Sequence, residues 1–336
     1  MNKPEQIQFS IIVPVFNRPD EIQELLDSLC RQTYTDFEVI IVEDGSSVLS
    51  EKVCRDFMGR LDLKYHYKEN SGPGLSRNYG MKKASGNYFI ILDSDVIVPE
   101  NYMKIVYNTL QNSYVDAYGG PDAAHKSFTP TQKAINYAMT SVLTTGGIRG
   151  KSEKLEKFHP RSFNMGISKA VFNKTQGFSK LRFGEDIDLS IRIMEKGFTT
   201  KLIPEAFVYH KRRNTFASFY KQVFNSGIAR INLYTLHKKS LKPAHFFPAV
   251  FTFGLLLGIL LLMLGYKCLL LPYLLYAIVV FLDAFRKEKN AKLAALSVFS
   301  SFVMLIGYGL GFILSFWKRI VLRRPVFEAF SQNFYN

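Results

Sequence analysis

The chain has 336 residues, of which 47% are hydrophobic and 21% charged, and this composition excludes a disordered or low-complexity protein. Its net charge of +15 lies entirely in residues 196–336, because residues 1–195 carry equal numbers of basic and acidic side chains. Basic charge that coincides with an apolar region indicates that the partner is an anionic membrane surface and not a nucleic acid.

The N-terminal part alternates apolar runs with helical patterns. Strands are predicted at QFSIIVPVF (8–16), FEVIIVED (37–44) and NYFIILDSD (87–95), and helices at 19–29 and 74–84. Strands that alternate with helices predict an α/β domain on a mostly parallel, doubly wound sheet. Neither G-x-G-x-x-G nor a P-loop follows the first strand, which excludes a dehydrogenase-type dinucleotide site and a P-loop nucleotide site.

Polar residues follow all three predicted strands. They are Asn17, Asp44 and the sequence Asp93-Ser94-Asp95. Ligands of such sheets bind at the carboxyl ends of the strands, so we expect these side chains to share one crevice. Two carboxylates separated by one residue can bind a hard divalent cation together with substrate phosphates, although a solvated turn is an alternative for this pair.

A second acidic cluster lies at residues 184–189, GEDIDL, where a helix is predicted to begin. Acidic residues in a first helical turn are also explained by the helix dipole alone. The pattern by itself therefore leaves a structural and a catalytic interpretation open.

Four segments, taken together, resemble the family 2 glycosyltransferases, which have the GT-A fold. They are SIIVPVFNRPDEIQELLDSL, VEDGSS, NSGPGLSRNYGMKKASGNYFIILDSD and GEDIDLSIRIMEKGF, in the order and at the approximate spacing of the family. The resemblance covers about residues 8–210. It implies a Rossmann-like sheet and a nucleotide-sugar donor, most simply a UDP- or GDP-sugar.

The resemblance also implies roles for individual residues on the donor side. The nucleoside would be held by residues at the first two strand ends, namely Pro14, Val15, Asn17 and Asp44. Arg77 would face the nucleotide or its diphosphate. Asp95 would bind Mn²⁺ or Mg²⁺, Asp93 the ribose or the metal, and His210 the metal or the diphosphate, although a lone histidine is more often structural.

On the acceptor side, the resemblance makes Asp186 the general base and gives Glu185 an orienting role. One base opposite the leaving group implies direct displacement and inversion at the anomeric carbon. The region 120–165 and the FNMGIS strand would shape the acceptor pocket. Lys151, Lys154 and Lys157 could meet a lipid-linked diphosphate there, with a solvated loop as the alternative.

Residues 212–243 are predicted to form a basic connector. Within it, residues 215–239 place aromatic and aliphatic side chains at helical spacing, which predicts an amphipathic helix at a membrane surface. An ordinary surface helix packed on the N-terminal domain is the alternative.

Residues 244–320 are predicted to form a membrane domain with three apolar stretches, 246–265, 268–285 and 293–317, followed by a tail at 321–336. The first two stretches suit a membrane hairpin. The basic residues that follow it, beginning with Arg286, then lie on the cytoplasmic side. The third, if it spans, carries Lys318 and Arg319 outside, against the positive-inside rule, so a re-entrant or interfacial third stretch remains an alternative.

The sequence therefore predicts a GT-A domain at 1–211 that adds single sugars from a nucleotide-sugar to a lipid-linked glycan. Three cysteines, too few for a disulfide framework, and the absence of an apolar segment in MNKPEQIQF place this domain on the cytoplasmic face of the cell inner membrane. Processive synthases carry a Gln-x-x-Arg-Trp signature near the membrane. The single Trp of this chain, Trp317, is not part of such a signature, so a polymer-extruding synthase is not expected.

Two other functions stay open. A polyprenyl-phosphate glycosyltransferase, which resembles dolichol-phosphate mannose synthase, would use the same donor site with an acceptor that is already ionised. A membrane scaffold with a vestigial nucleotide site would keep the fold without the activity.

Overall fold

The computed structural model describes residues 6–123, 125, 127–145, 158–266, 268–327 and 329. These residues form two compact units. The first runs to His125 and resumes at residue 158 to end at Lys211, and the second contains residues 127–145 and the chain from Arg212. The boundaries proposed from the sequence remain predictions, and no sequence pattern indicated that residues 127–145 would group with the C-terminal helices.

The described strands all belong to the first unit. They are β1 (Phe9–Val15), β2 (Phe37–Asp44), β3 (Asp62–Lys68), β4 (Tyr88–Leu92), β5 (Val96–Ile97), β6 (Ala117–Gly119), β7 (Asp122–Ala123), β8 (Asn164–Ser168), β9 (Thr200–Leu202) and β10 (Val208–His210).

The described α-helices are shared between the units, with α5, α6 and α9–α12 in the second. They are α1 (Pro19–Cys30), α2 (Glu51–Phe57), α3 (Pro73–Lys83), α4 (Tyr102–Asn112), α5 (Pro130–Thr140), α6 (Val142–Thr145), α7 (Lys169–Thr175), α8 (Glu185–Glu195), α9 (Phe216–Leu236), α10 (Phe247–Met263), α11 (Leu271–Glu288) and α12 (Ala291–Phe316).

The larger sheet has the strand order β3-β2-β1-β4-β8-β6-β9. Strands β3, β2, β1 and β4 pair in parallel, whereas β8 runs antiparallel to both of its neighbours. The predicted mixed, mostly parallel sheet is thus confirmed. Strand β3 was not predicted, because its sequence DLKYHYK carries the charges that suit a partly exposed edge strand.

The central strands read as continuous apolar runs because both faces of the sheet are covered. Successive residues of β1 alternate between two cores, with Ile11 and Val13 in one and Ile12 in the other. Strand β4 does the same, with Ile90 in the first core and Phe89 in the second. This packing fixes the level at which the strands end and so positions the polar residues that follow them.

A second, three-stranded sheet has the order β5-β10-β7. Its antiparallel β5–β10 pair sets His210 opposite Val96, the residue that follows Asp95. The backbone NH of Lys211 also donates to the carbonyl oxygen of Asp95 at 3.0 Å. This sheet therefore brings a residue from the end of the first unit beside the Asp93–Asp95 turn.

The helix predicted in the basic connector is present as α9. Thr215 caps its first turn by accepting a hydrogen bond of 3.1 Å from the backbone NH of Ser218. Its apolar side chains Phe219 and Val223 are buried against α5 and against Val303 and Met304 of α12. A place for this helix at a membrane surface stays a prediction.

Three described helical segments are long and apolar enough to cross a membrane: Pro243–Met263, Cys268–Glu288 and Ala291–Val321. They coincide with the three predicted stretches. The predicted basic acceptor loop with Lys151, Lys154 and Lys157 lies outside the described residues, as does half of the predicted tail.

Candidate active site

Two carboxylates and one imidazole converge where β4 ends. The Nε2 atom of His210 lies 3.1 Å from Oδ1 of Asp95 and 3.9 Å from Oδ2 of Asp93. One ligand atom from each of the three residues falls within 4.8 Å of the others. The strand-end acids and His210, which the sequence analysis identified separately, therefore share one small space.

The remaining oxygens of both carboxylates are held by arginines. Arg18 donates to Oδ2 of Asp95 at 2.6 Å, and Arg77 donates to Oδ1 of Asp93 at 2.7 Å. Burial opposes ionisation of Asp95, but the charges of His210 and Arg18 outweigh it and hold the pKa of that carboxyl below its usual range. Asp95 is therefore ionised at neutral pH.

The donor set fits a divalent cation. Oδ1 of Asp95 is buried and accepts no hydrogen bond from the part of the chain that the structure describes. This orphaned oxygen faces the imidazole nitrogen, and the arginines occupy the opposite edges of both carboxylates. Two carboxylate oxygens and one imidazole nitrogen suit Mn²⁺, and Mg²⁺ binds through one or two carboxylates with substrate phosphates.

Arg77 links this cluster to the second acidic motif. Its side chain is buried, and it donates to Asp93 at 2.7 Å and to Oε1 of Glu185 at 3.0 Å. The guanidinium also lies 5.1 Å from the centre of the Phe178 ring. The structure thus places Arg77 between two carboxylates, where it fixes their relative position, and its role toward the nucleotide or its diphosphate stays a prediction.

Glu185 and Asp186 open α8 in different electrostatic surroundings. Burial and the neighbouring charge of Asp186 raise the pKa of Glu185, against the opposing effect of Arg77. Burial opposes ionisation of Asp186 too, but Arg161 and the backbone NH of Ile187 hold the pKa of Asp186 below its usual range. Arg161 donates from Nε to Oδ2 of Asp186 at 2.7 Å. The two adjacent acids are therefore separated in proton affinity, with Asp186 the ionised one.

The other predicted nucleoside residues lie at the ends of β1 and β2. Asn17 has a left-handed backbone with a φ of 54°, and its Oδ1 accepts from the backbone NH groups of Ser47 and Val48 at 2.8 and 2.9 Å. Pro14 and Val15 form the buried end of β1. Asn17 therefore ties the loop after β1 to the loop after β2.

Asp44 ends β2 and organises the loop before α3. It accepts from Lys68 Nζ at 2.7 Å and from the backbone NH groups of Ser71 and Gly72 at 2.9 Å each. Gly72 has a φ of +88°, a conformation that favours glycine. These contacts shape the backbone beside the predicted nucleoside site.

Sequence reasoning missed two arginines of this site. Arg18 directly follows Asn17 in a segment that carried the family resemblance, so its position beside the strand end was a usable signal. Arg161 lies in a segment without a regular pattern, and the sequence carries no signal that it would contact Asp186.

Sequence comparisons show similarity to glycosyltransferases. The family model described as Glycosyl transferase family 2 matches residues 10–175. Glycosyltransferase GlyA of Streptococcus pneumoniae is 33% identical over 111 residues, which are 32% of this chain and 16% of that protein. The first three curated relatives are matched over only 16%, 34% and 38% of their own lengths.

Structural comparisons show the fold over nearly the whole chain. The mannosyltransferase PcManGT from Pyrobaculum calidifontis, solved with GDP-Man and Mn²⁺, superposes with a TM-score of 0.60 at 15% identity, over 94% of this chain and 88% of that one. Residues 1–349 of Staphylococcus aureus TarS superpose with a TM-score of 0.52 at 19% identity, over 95% and 92% of the two chains. The predicted GT-A architecture is thereby confirmed.

Proposed function

We propose that this chain, whose residues 10–175 match the family model described as Glycosyl transferase family 2, is an inverting, metal-dependent glycosyltransferase. It moves a sugar from a UDP- or GDP-sugar to a lipid-linked glycan at the cytoplasmic face of the cell inner membrane. The observation that carries the proposal is the convergence of Asp93, Asp95 and His210. Arg77 joins this cluster to the Glu185–Asp186 pair, because its guanidinium donates to both Asp93 and Glu185.

Asp95 through Oδ1, Asp93 through Oδ2 and His210 through Nε2 would hold Mn²⁺ or Mg²⁺. When bound, the cation offsets negative charge on the leaving diphosphate. Arg18 keeps Asp95 ionised and oriented. It directly follows the predicted nucleoside ligand Asn17 in the sequence. The mannosyltransferase of the same fold, solved with GDP-Man and Mn²⁺, supports a donor of this class.

Asp186 acts as the general base on the acceptor. It takes the proton of the acceptor hydroxyl while that oxygen attacks the anomeric carbon. Loss of this proton makes the acceptor oxygen a stronger nucleophile. A lowered pKa keeps Asp186 unprotonated and ready to accept that proton. Glu185, fixed by Arg77, orients the acceptor side of the site, and a single displacement inverts the configuration.

Residues Pro14, Val15, Asn17 and Asp44 would form the nucleoside end of the donor site. The ends of β1 and β2 are adjacent in the sheet, with Val15 opposite Glu43 in the register. Carboxylate and amide oxygens at these strand ends suit the NH and OH donors of a nucleobase and a ribose.

The membrane and the acceptor are inferred from the C-terminal helices. Three described segments have the length and composition of membrane spans, which supports a multi-pass anchor with the catalytic domain on the cytoplasmic side. An enzyme held at a membrane meets lipid-linked acceptors there. The sequence lacks a Gln-x-x-Arg-Trp motif, which supports addition of one sugar at a time over polymer synthesis.

Nucleotide binding tests the proposal directly. UDP, GDP, CDP and dTDP would be titrated by calorimetry into the full chain in detergent, with and without Mn²⁺. We expect one nucleotide to bind in a Mn²⁺-dependent way, and Asp95→Asn to weaken that binding at least tenfold. Asp36→Asn, which changes an exposed carboxylate, is the matched control. Folded protein that binds none of the four nucleotides would refute the donor site and favour the scaffold.

A further inference from the structure

The three apolar helices differ in how far protein already covers them. Within the most apolar part of each segment, 17% of Pro243–Met263 and 11% of Cys268–Glu288 is buried, against 44% of Ala291–Val321. Helices α10 and α11 therefore present most of their apolar surface outward. Helix α12 is the most covered of the three.

Helices α5 and α9 cover α12 along most of its length. Near its start, Ala294 packs with Tyr137 of α5, and farther along Val303 and Met304 pack with α5 and α9 together. Beyond that point the α9 and α12 backbones touch, because a Cβ added at Gly227 would lie 2.2 Å from the carbonyl oxygen of Tyr308. Ser315 donates to the carbonyl oxygen of Ile228 at 3.2 Å.

The covering helices are too polar for the interior of a bilayer. Arg212 donates to Oδ1 of Asn136 in α5 at 3.1 Å, and α9 carries the buried amides Asn225 and Asn232. Neither helix belongs to the segments that qualify as spans in the described part of the chain. In sequence, α5 also lies between strands β7 and β8 of the first unit. If α12 crossed the hydrocarbon, α5 and α9 would have to enter it as well.

Helices α10 and α11 also contact α12. Thr252 and Pro248 lie against Gly309, and Tyr276 lies 5.8 Å from Phe302 between ring centres. Farther from α12, the two helices contact each other where Tyr273 meets Gly254. Their outward faces carry large exposed apolar side chains, among them Val250, Phe253, Leu260, Leu271, Leu275 and Ile278.

We propose that the α10–α11 hairpin alone enters the membrane and that α12 does not cross it. This inference rests on the membrane attachment of the proposed function but not on its chemistry. The hydrocarbon interior of the bilayer is the partner of the exposed hairpin faces, and α12 with α5 and α9 forms the base from which the hairpin projects.

The placement of charge supports this topology. Basic residues around the junction of α11 and α12, and after α12, then lie on the same side of the membrane as the start of α10, as the positive-inside rule requires. They are Arg286, Lys287, Lys289, Lys292, Lys318, Arg319, Arg323 and Arg324. The conflict that a third crossing creates for Lys318 and Arg319 does not arise.

Protease protection of the full chain tests the topology. Epitopes at both chain ends would be digested in sealed vesicles of one orientation, after carbonate washing to show that the chain is inserted. We expect both epitopes to be cut, or both protected, together. A C-terminal epitope protected where the N-terminal epitope is cut overturns the proposal, because α12 must then cross. Release of the chain by carbonate overturns the insertion itself, while nucleotide binding reports separately on the proposed function.

A matched pair of substitutions tests which helix contacts lipid. Phe253 of α10 is 66% exposed and Phe299 of α12 is 52% exposed. Phe253→Arg should reduce the carbonate-resistant fraction at least twofold, whereas Phe299→Arg should leave it unchanged. Equal losses for the two variants contradict the proposal. The epitope experiment keeps it testable if either variant fails to accumulate.

Discussion

Arg161 donates a hydrogen bond of 2.7 Å from Nε to Oδ2 of Asp186, the predicted general base. The two residues are separated by β8, α7 and the start of α8 in the chain. The arginine holds the carboxylate ionised and also occupies one of its oxygens. The proton affinity of this proposed base, and the access to its oxygens, therefore depend on Arg161 as well as on Asp186.

Asp186→Asn should lower transfer to a hydroxyl acceptor by about 10²–10⁴-fold, because the amide cannot take the proton of the acceptor. Initial rates with a nucleotide-sugar and a glycan acceptor measure this effect, with Asp36→Asn as the control. Nucleotide binding should persist, since Asp186 lies outside the donor cluster. Full activity in the variant would contradict the role of a base and favour a phosphate acceptor, which needs no deprotonation.

Arg161→Gln should move the acid limb of the pH–rate profile to higher pH. Asp186 must be ionised to act, and Arg161 lowers the pKa of Asp186, so the native enzyme keeps its activity to lower pH than the variant. The profile of kcat/KM between about pH 4 and 8 measures the shift. An unchanged acid limb, with activity retained, would show that Arg161 does not act on the base.

Arg18→Gln should tighten Mn²⁺ binding by about three- to tenfold, because a positive charge that competes for Asp95 is removed. Calorimetry or the electron paramagnetic resonance of free Mn²⁺ measures this affinity without any turnover. Arg31→Gln, an exposed change outside the cluster, serves as the control. Weaker Mn²⁺ binding in Arg18→Gln would mean that the orientation of Asp95 matters more than the repulsion.

Glu38 should stabilise the first unit in a pH-dependent way. Burial opposes its ionisation, but hydrogen bonds from Lys64, Ser10 and Ser85 lower its pKa from 4.5 to about 2. Because the folded pKa is depressed, this stabilisation is present above about pH 4.5 and is lost as the pH falls toward 2. Glu38→Gln should cost about 2–3 kcal/mol at pH 7 and less at pH 3.

Unfolding by urea in detergent, followed at both pH values, measures this loss. Glu51→Gln is the matched control, because its ion pair with Arg55 is exposed and should contribute less than about 0.5 kcal/mol. A cost for Glu38→Gln that is the same at pH 3 and pH 7 would rule out the ion pair as its origin.

Gly311→Ala should loosen the contact between α9 and α12. The added methyl group would lie 2.0 Å from the carbonyl oxygen of Phe224. A backbone atom cannot move away from such a clash as easily as the end of a flexible side chain can. Overpacking of this kind costs about 1–3 kcal/mol. Thermal unfolding in detergent measures it, and Gly59→Ala, which meets no atom within 4 Å, should have little effect. Equal stability of the two variants would argue against close packing of the two helices.

Much of the fold and part of the site could be predicted from the sequence alone. Strands β1, β2 and β4 are continuous apolar runs, and their patterns are set by residues that are neighbours in the chain. The acids that end β2 and β4 follow from the same patterns, because parallel strands share one carboxyl edge. The three apolar stretches were equally visible, since each is a run of apolar residues about as long as a membrane span requires.

Other features were decided only by tertiary structure. His210 reaches Asp95 through the register of β10 on β5, Arg77 joins Asp93 to Glu185, and Arg161 meets Asp186. Helix α12 reads like a membrane span in sequence, yet α5 and α9 cover it. Composition and periodicity report what a segment is made of. Strand register and helix packing, which join residues far apart in the chain, decide what each side chain touches.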